Sequence, residues 1–290
     1  MIRFSSLILF VLAFSIVFGQ DQASQSSNNK GYLLKYEPAV GTKGKMNMSI
    51  DMSMEMEMPN ISDVEVKQIM TMASSLSIIS QNTRTTTSKM EYDYITVKQD
   101  NSMAGVVNYD SRNPDLDNYM AKALHDGMSN LLDSTFITIQ DKTSKIVQDP
   151  GERGTGLAST RQGSGAATDA TSAMSMSVFP KEPIKVGYSW TETIDNENTY
   201  MGITTTYTLV SVENGVVKIQ ADGKYFLNTK FTGEVSPTDL SGTQSGYSYY
   251  RLSDMWLLKS NMVQDYTMTM NSAGMETKTK TVSKIDIVVE

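Results

Sequence analysis

Met46-Asn47-Met48-Ser49-Ile50-Asp51-Met52-Ser53-Met54-Glu55-Met56-Glu57-Met58 decides the fold. Every even position is apolar and every odd position is polar. Side chains of an extended chain point alternately to opposite faces, so this stretch sets one face in a core and the other in water. On a helix the same methionines would spread around the whole circumference. The alternation predicts one long, half-buried strand over 46–58. Pro59, which cannot donate to a ladder, ends it together with Asn60.

The chain on either side of this strand also reads as β. Residues 31–36 read as a short first strand, and 90–97 and 104–109 alternate again. Residues 64–80 fit neither period, because Ile69, Met70, Met72, Leu76, Ile78 and Ile79 share no single face of a helix or strand. Further strands are expected at 188–196, 200–212, 216–222, 224–231, 242–252, 257–270 and 276–289, with a hairpin from 134–140 and 145–148. One helix interrupts them. Asn113 is suited to cap it, Pro114 to open it and Asp115 to face its positive end. Leu116, Tyr119, Met120, Leu124, Met128 and Leu131 then fall at helical spacing, which predicts a helix over 114–132. The expected fold is mainly β with minor α. It is a large curved antiparallel sheet, either a half-barrel or two packed β-meanders, with one main amphipathic helix.

The remaining segments set the context. Arg3, the apolar run at 7–18, and the small residues Val17 and Gly19 read as a signal peptide over 1–19, cut after Gly19. The run is shorter than the ~20 residues that span a bilayer. Residues 20–30 are polar and read as a flexible lead-in. Residues 31–148 hold the first meander and the helix. Residues 149–178 hold five glycines among Ser, Thr and Ala and read as a flexible loop. Residues 179–290 hold the second meander, in one continuous domain with the first. Glu37-Pro38-Ala39-Val40-Gly41 and Glu182-Pro183-Ile184-Lys185-Val186-Gly187 each open a half, which suggests two copies of one meander.

Composition narrows the function. The chain contains no cysteine, so disulfides, thiolate chemistry and a lipidated cysteine anchor are all ruled out. A disulfide-free exported chain of this size suits a bacterial periplasm or the cell exterior. Without the signal the chain carries 24 basic and 32 acidic residues. That negative balance argues against nucleic acid and anionic membrane surfaces as partners. No later segment is apolar enough to span a membrane as a helix.

No catalytic constellation is legible. His125 is the only histidine, lies mid-helix beside Asp126, and has no G-x-S-x-G elbow to serve. Asp195 and Glu197 lack the ordered loop of an EF-hand, and one histidine cannot build a zinc site. The glycines at 151, 154, 156, 163 and 165 match no phosphate-binding pattern. The unusual feature is methionine, 21 in all, recurring as M-x-M. Thioethers ligate Cu(I), but M-x-M also arises wherever methionine fills one face of a strand.

The stretch Phe179-Pro180-Lys181-Glu182-Pro183-Ile184-Lys185-Val186-Gly187-Tyr188-Ser189-Trp190 resembles the P-x-x-P-[VI]-x-[VI]-G-x-x-W stretch of an uncharacterised family of exported bacterial β proteins from Bacteroidota, a domain of unknown function. Tyr188 stands where an acidic residue is commoner in that family. The resemblance implies the sheet-plus-helix layout, similar at fold level to the half-barrels of periplasmic lipoprotein carriers, and carries no functional residue over. The stretch itself reads as structural: Pro183 stiffens the approach, Gly187 permits a turn, and Trp190 buries a ring at a strand start.

These readings predict a non-enzymatic exported envelope protein without a cofactor or metal. Its candidate apolar ligand face, for a small apolar molecule or lipid, is Met46, Met48, Ile50, Met52, Met54, Met56 and Met58. The alternatives are a structural or interaction protein of the envelope, a hydrolase with an unseen carboxylate pair, and a Met-rich copper binder.

Overall fold

A computed structural model of the chain describes residues 31–59, 63–103, 105–147, 178–195, 200–231, 237–272 and 275–290. The expected signal peptide, the lead-in and residues 149–177 of the expected loop lie outside the described residues. The elements are β1 (Lys43–Glu57), β2 (Val64–Gln81), β3 (Thr85–Asn101), β4 (Gly105–Asp110), α1 (Tyr119–Leu132), β5 (Thr135–Asp141), β6 (Ser189–Ile194), β7 (Met201–Glu213), β8 (Val216–Leu227), β9 (Pro237–Arg251), β10 (Leu257–Ser272) and β11 (Met275–Val289).

All eleven strands form one antiparallel sheet in the order β4-β3-β2-β1-β11-β10-β9-β8-β7-β6, with β5 pairing the first half of β3 and β4 the second. Each half of the chain is thus a meander. The seam between them is β1 against β11, in register from Met46–Val289 to Glu57–Lys278. The mainly β class, the one helix and the large open sheet are as expected from the sequence.

The sheet is strongly rolled. Tyr36 N–H donates to Lys142 O, beside β5, while the next residue, Glu37, donates its N–H to Asp254 O at the β9–β10 turn. Likewise Phe179 N–H donates to Thr143 O, while Val178 O accepts from Trp190 Nε1 on β6. The two ends of the strand order therefore lie within reach of two consecutive residues. In a flat sheet, with strands ~4.8 Å apart, nine strand steps would hold them about 43 Å apart. Among the described residues no strand–strand pairing joins the two edges, and the sheet is not closed into a barrel.

The ladder is interrupted between β9 and β10. Only Leu257 and Tyr250 pair there in ladder register. Beyond that pair, Gly246 and Gly242 let the backbones close up. A Cβ on Gly246 would stand 2.1 Å from Asn261 O, and one on Gly242 2.3 Å from Asp265 O.

The roll buries one face. At the end where β1 begins, the main core runs across Met48, Ile50, Ile95, Leu209, Ile219 and Ile285. That end is closed by Leu34, Tyr36, Phe179, Ile184 and Trp256, and α1 covers the inner side of β3 and β4 with Ala121, Leu124 and Met128. Phe179 meets Tyr250 edge-on at 5.3 Å.

Several local expectations are corrected. The helix begins at Tyr119, not at 114, because Asn118 is its cap: Asn118 Oδ1 accepts from Met120 N (3.0 Å) and Ala121 N (3.1 Å). Leu116 and Tyr119 of the expected stripe are exposed, Tyr119 to 74 %. Residues 31–36 form no strand; only Tyr32 bridges to Ile184. Residues 216–222 and 224–231 are not two strands, because β8 passes through Gly223 without losing register with β7. The hairpin expected over 134–148 reduces to β5 and a single Gln140–Ile146 bridge, since β5 pairs with β3 instead.

Burial also governs the tyrosines. It pushes Tyr92 up to about 12 and raises Tyr36 and Tyr207 as well. A phenol whose folded value lies above its unfolded one, about 10, contributes stability that is complete below pH ~10 and lost as pH rises through the folded value. Near-ultraviolet absorbance should show these three phenols silent until the sheet's circular-dichroism signal collapses. If all 14 tyrosines of the chain ionise together before that collapse, the packing described here is wrong.

Candidate functional site

Four of the proposed face residues, Met46, Met48, Met52 and Met54, are only 2–4 % exposed, and Ile50 is buried with them. Met56 and Met58 are half-buried. The strand thus divides along its length. Met46, Met48 and Ile50 belong to the main core, while Met54 joins Val64 and Val66 in a separate cluster, with Met56 and Met58 packed on it. Across the roll, on β7 to β10, Tyr225, Leu240 and Tyr266 form a third cluster, with Met201, Ile203, Leu227 and Met268 against it. The second and third clusters both sit at the end carrying the β1–β2 and β10–β11 turns.

A belt of polar side chains crosses the inner face between the main core and these two clusters. The registers place Gln99, Gln68, Met52, Ser283 and Gln264 in one row over β3, β2, β1, β11 and β10. Gln264 Nε2 donates to Gln244 Oε1 (3.4 Å), and Gln244 Nε2 donates to Thr205 Oγ1 (3.2 Å). Tyr225 OH also donates to Gln244 Oε1 (3.1 Å). The part of the belt on β7 to β10 is therefore bonded to itself. The first meander's part is not. Among the described residues neither Gln99 Nε2 nor Gln99 Oε1 has a hydrogen-bond partner, nor has Gln68 Oε1, although Gln99 is 1 % and Gln68 4 % exposed. Thr281 Oγ1, one row further out beside Met54, is also unpartnered. Each such group costs about 1–3 kcal/mol. Sequence reasoning missed the belt because glutamines at inner positions resemble loop residues; the register, invisible without the partner strands, identifies them.

The other candidates resolve locally. His125 Nδ1 lies 3.2 Å from Tyr109 OH, between helix and sheet, and among the described residues it shows no hydrogen bond to a serine or carboxylate. Arg112 holds the Asp110 carboxyl below its usual range, and Lys35 and Lys142 do the same for Glu37. Among the described residues no three of His, Asp and Glu stand together as a metal site would require. A groove of about 340 Å³ on the outer side of the β4 edge is lined by Ile69, Lys98, Asn108, Asp110 and Asp115, among others, and is separate from the methionines.

The Pro-Gly-Trp stretch forms the closing segment. Gly187 has φ +88°, in the region that favours glycine, as has Gly41 before β1. Trp190 stacks between Tyr188 and Tyr207, at 6.4 and 5.6 Å between ring centroids. Pro183 lies beside Gly31, where an added Cβ would come within 3.0 Å of its ring.

Among the described residues no helix is long and apolar enough to cross a membrane. No curated protein matches the chain. Among solved structures, a chain from a study of lipid–protein interactions in lipovitellin matches 87 % of this chain at 7 % identity and TM-score 0.48. This chain spans about a quarter of that one, 25 %. An outer membrane channel from Pseudomonas putida F1 matches 92 % of this chain and 100 % of its own at 7 % identity and TM-score 0.26. Ail, the attachment invasion locus protein of Yersinia pestis, matches 85 % of this chain and 99 % of its own at 5 % identity and TM-score 0.13. A family model described as a family of unknown function (DUF6263) matches residues 161–286, a span that holds β6 to β10 and most of β11, which supports the resemblance to an uncharacterised domain family.

Proposed function

We propose that the protein is a non-enzymatic, exported binder of a small apolar molecule, held at the outer end of the roll between the β1–β2 cluster and the β7–β10 cluster. The observation that carries this reading is the division of the inner face. Beyond the polar belt the interior continues as two separate apolar clusters edged by half-buried Met56, Met58, Met201 and Met268. Flexible thioethers adapt to apolar partners of varied shape. With Met46, Met48 and Ile50 buried in the main core, the reading concerns the outer part of the face named from the sequence. The export reading adds a reason for such a carrier: an apolar molecule crossing an aqueous compartment needs its surface covered.

The test is titration with the uncharged dye N-phenyl-1-naphthylamine. Saturable fluorescence enhancement is expected, weakened about tenfold or more by Met56→Asp or Met268→Asp, since a charge at an apolar contact opposes binding. Circular dichroism on both variants confirms that the sheet is intact. No saturable binding, or binding indifferent to both substitutions, overturns the proposal.

A further inference from the structure

We infer that the molecule held at this end is an uncharged amphiphile whose hydroxyl or amide group bonds Gln99 and Gln68, completing the polar belt. This rests on the reading of the outer end as an apolar binding site and adds the chemistry of the bound head group.

The argument starts from the asymmetry of the belt. Gln264, Gln244, Thr205 and Tyr225 satisfy one another. In the same row Gln99 has an unpartnered donor and an unpartnered acceptor, and Gln68 an unpartnered acceptor. Both side chains point inward, by register with Met52, and sit one row inside Met54 and Val66, which belong to the outer apolar cluster. A group that satisfies all three atoms must both donate and accept. Alcohols and amides do both, whereas a quaternary ammonium does neither and a carboxylate or phosphate diester only accepts. The row holds one ionisable side chain, Glu192, in register with Thr205 on β6. That carboxylate disfavours an anion further, and any bare charge among buried amides loses its hydration without a counter-ion. The fitting class is therefore a long-chain alcohol, monoacylglycerol or fatty amide, with its chain lying along the methionines.

The experiment displaces N-phenyl-1-naphthylamine with three probes of one chain length: 1-monolauroylglycerol, dodecanoate and dodecyltrimethylammonium, at a pH of about 8 where dodecanoate is ionised. Monolauroylglycerol is expected to compete at roughly tenfold lower concentration than either ion, because a site built to bond a polar group rejects analogues that leave it unpaired. Gln99→Leu should reduce that preference to about twofold or less while raising the thermal midpoint, since it removes the unpartnered amide. Gln68→Leu serves as the second variant, with the same expected direction. Equal competition by an ion, or a preference untouched by both variants, overturns the inference while dye binding stands. Failure of the dye to bind overturns the ligand site itself and this inference with it.

Discussion

Gly246→Ala is expected to destabilise the protein by about 3 kcal/mol or more, lowering its melting temperature by roughly 6–12 °C. The cause is backbone contact. The new methyl would stand 2.1 Å from Asn261 O and 2.9 Å from Met262 Cα, and neither atom can rotate away. To admit it, β9 must retreat from β10, which opens their close backbone approach and loosens the Ser248–Ser260 hydroxyl contact (2.9 Å) beside it. Gly242→Ala should behave alike, at 2.3 Å from Asp265 O. Gly127→Ala on the exposed side of α1 is the control. Nothing lies within 4 Å of its added methyl, and helix propensity predicts a gain of about 1 kcal/mol. If thermal unfolding places Gly246→Ala beside Gly127→Ala, β9 and β10 do not approach as described.

Ile50→Ala should cost about 2–5 kcal/mol, while Asp51→Ala, one residue along, stays within about 0.5 kcal/mol. Ile50 is buried between Met70 and Ile285, at the seam of the two meanders, so truncation leaves a cavity shared by both. Asp51 is exposed on the opposite face, across from Ile69 and Lys284. Denaturant midpoints of the two variants compare the two faces of β1 directly. Similar losses at both positions would mean that the strand is not half-buried.

That second contrast is legible in the sequence, because 46–58 alternates without exception and β1 follows it. The same logic fails on β2 for identifiable reasons. Its inner positions include Gln68 and Ser74, and its outer ones include Ile69 and Ile79, so polarity no longer reports the face. β3 adds a second obstacle. A bulge at Asp93 shifts the inward positions from even, ending at Tyr92, to odd, starting at Ile95. Asp93, thrown outward, takes Lys45 Nζ at 3.1 Å and Ser75 Oγ at 3.0 Å. Residue type alone does not place the helix start, because Asn113 before Pro114 and Asn118 both suit a cap. The choice falls to Asn118, from which Ala121, Leu124 and Met128 face the sheet. Of the candidate site, the methionine face could be read from one strand, whereas the belt needs five strands in register and the clusters need the roll.

The most direct measurement follows the methyl resonances of the methionines by NMR as N-phenyl-1-naphthylamine is added. Its aromatic rings shift nearby methyl signals. The account predicts movement at Met54, Met56, Met58, Met201 and Met268, with Met48, Met128 and Met255 of the main core unmoved. Shifts confined to exposed Met103 and Met275, or spread through the main core while the outer methionines stay still, would contradict it.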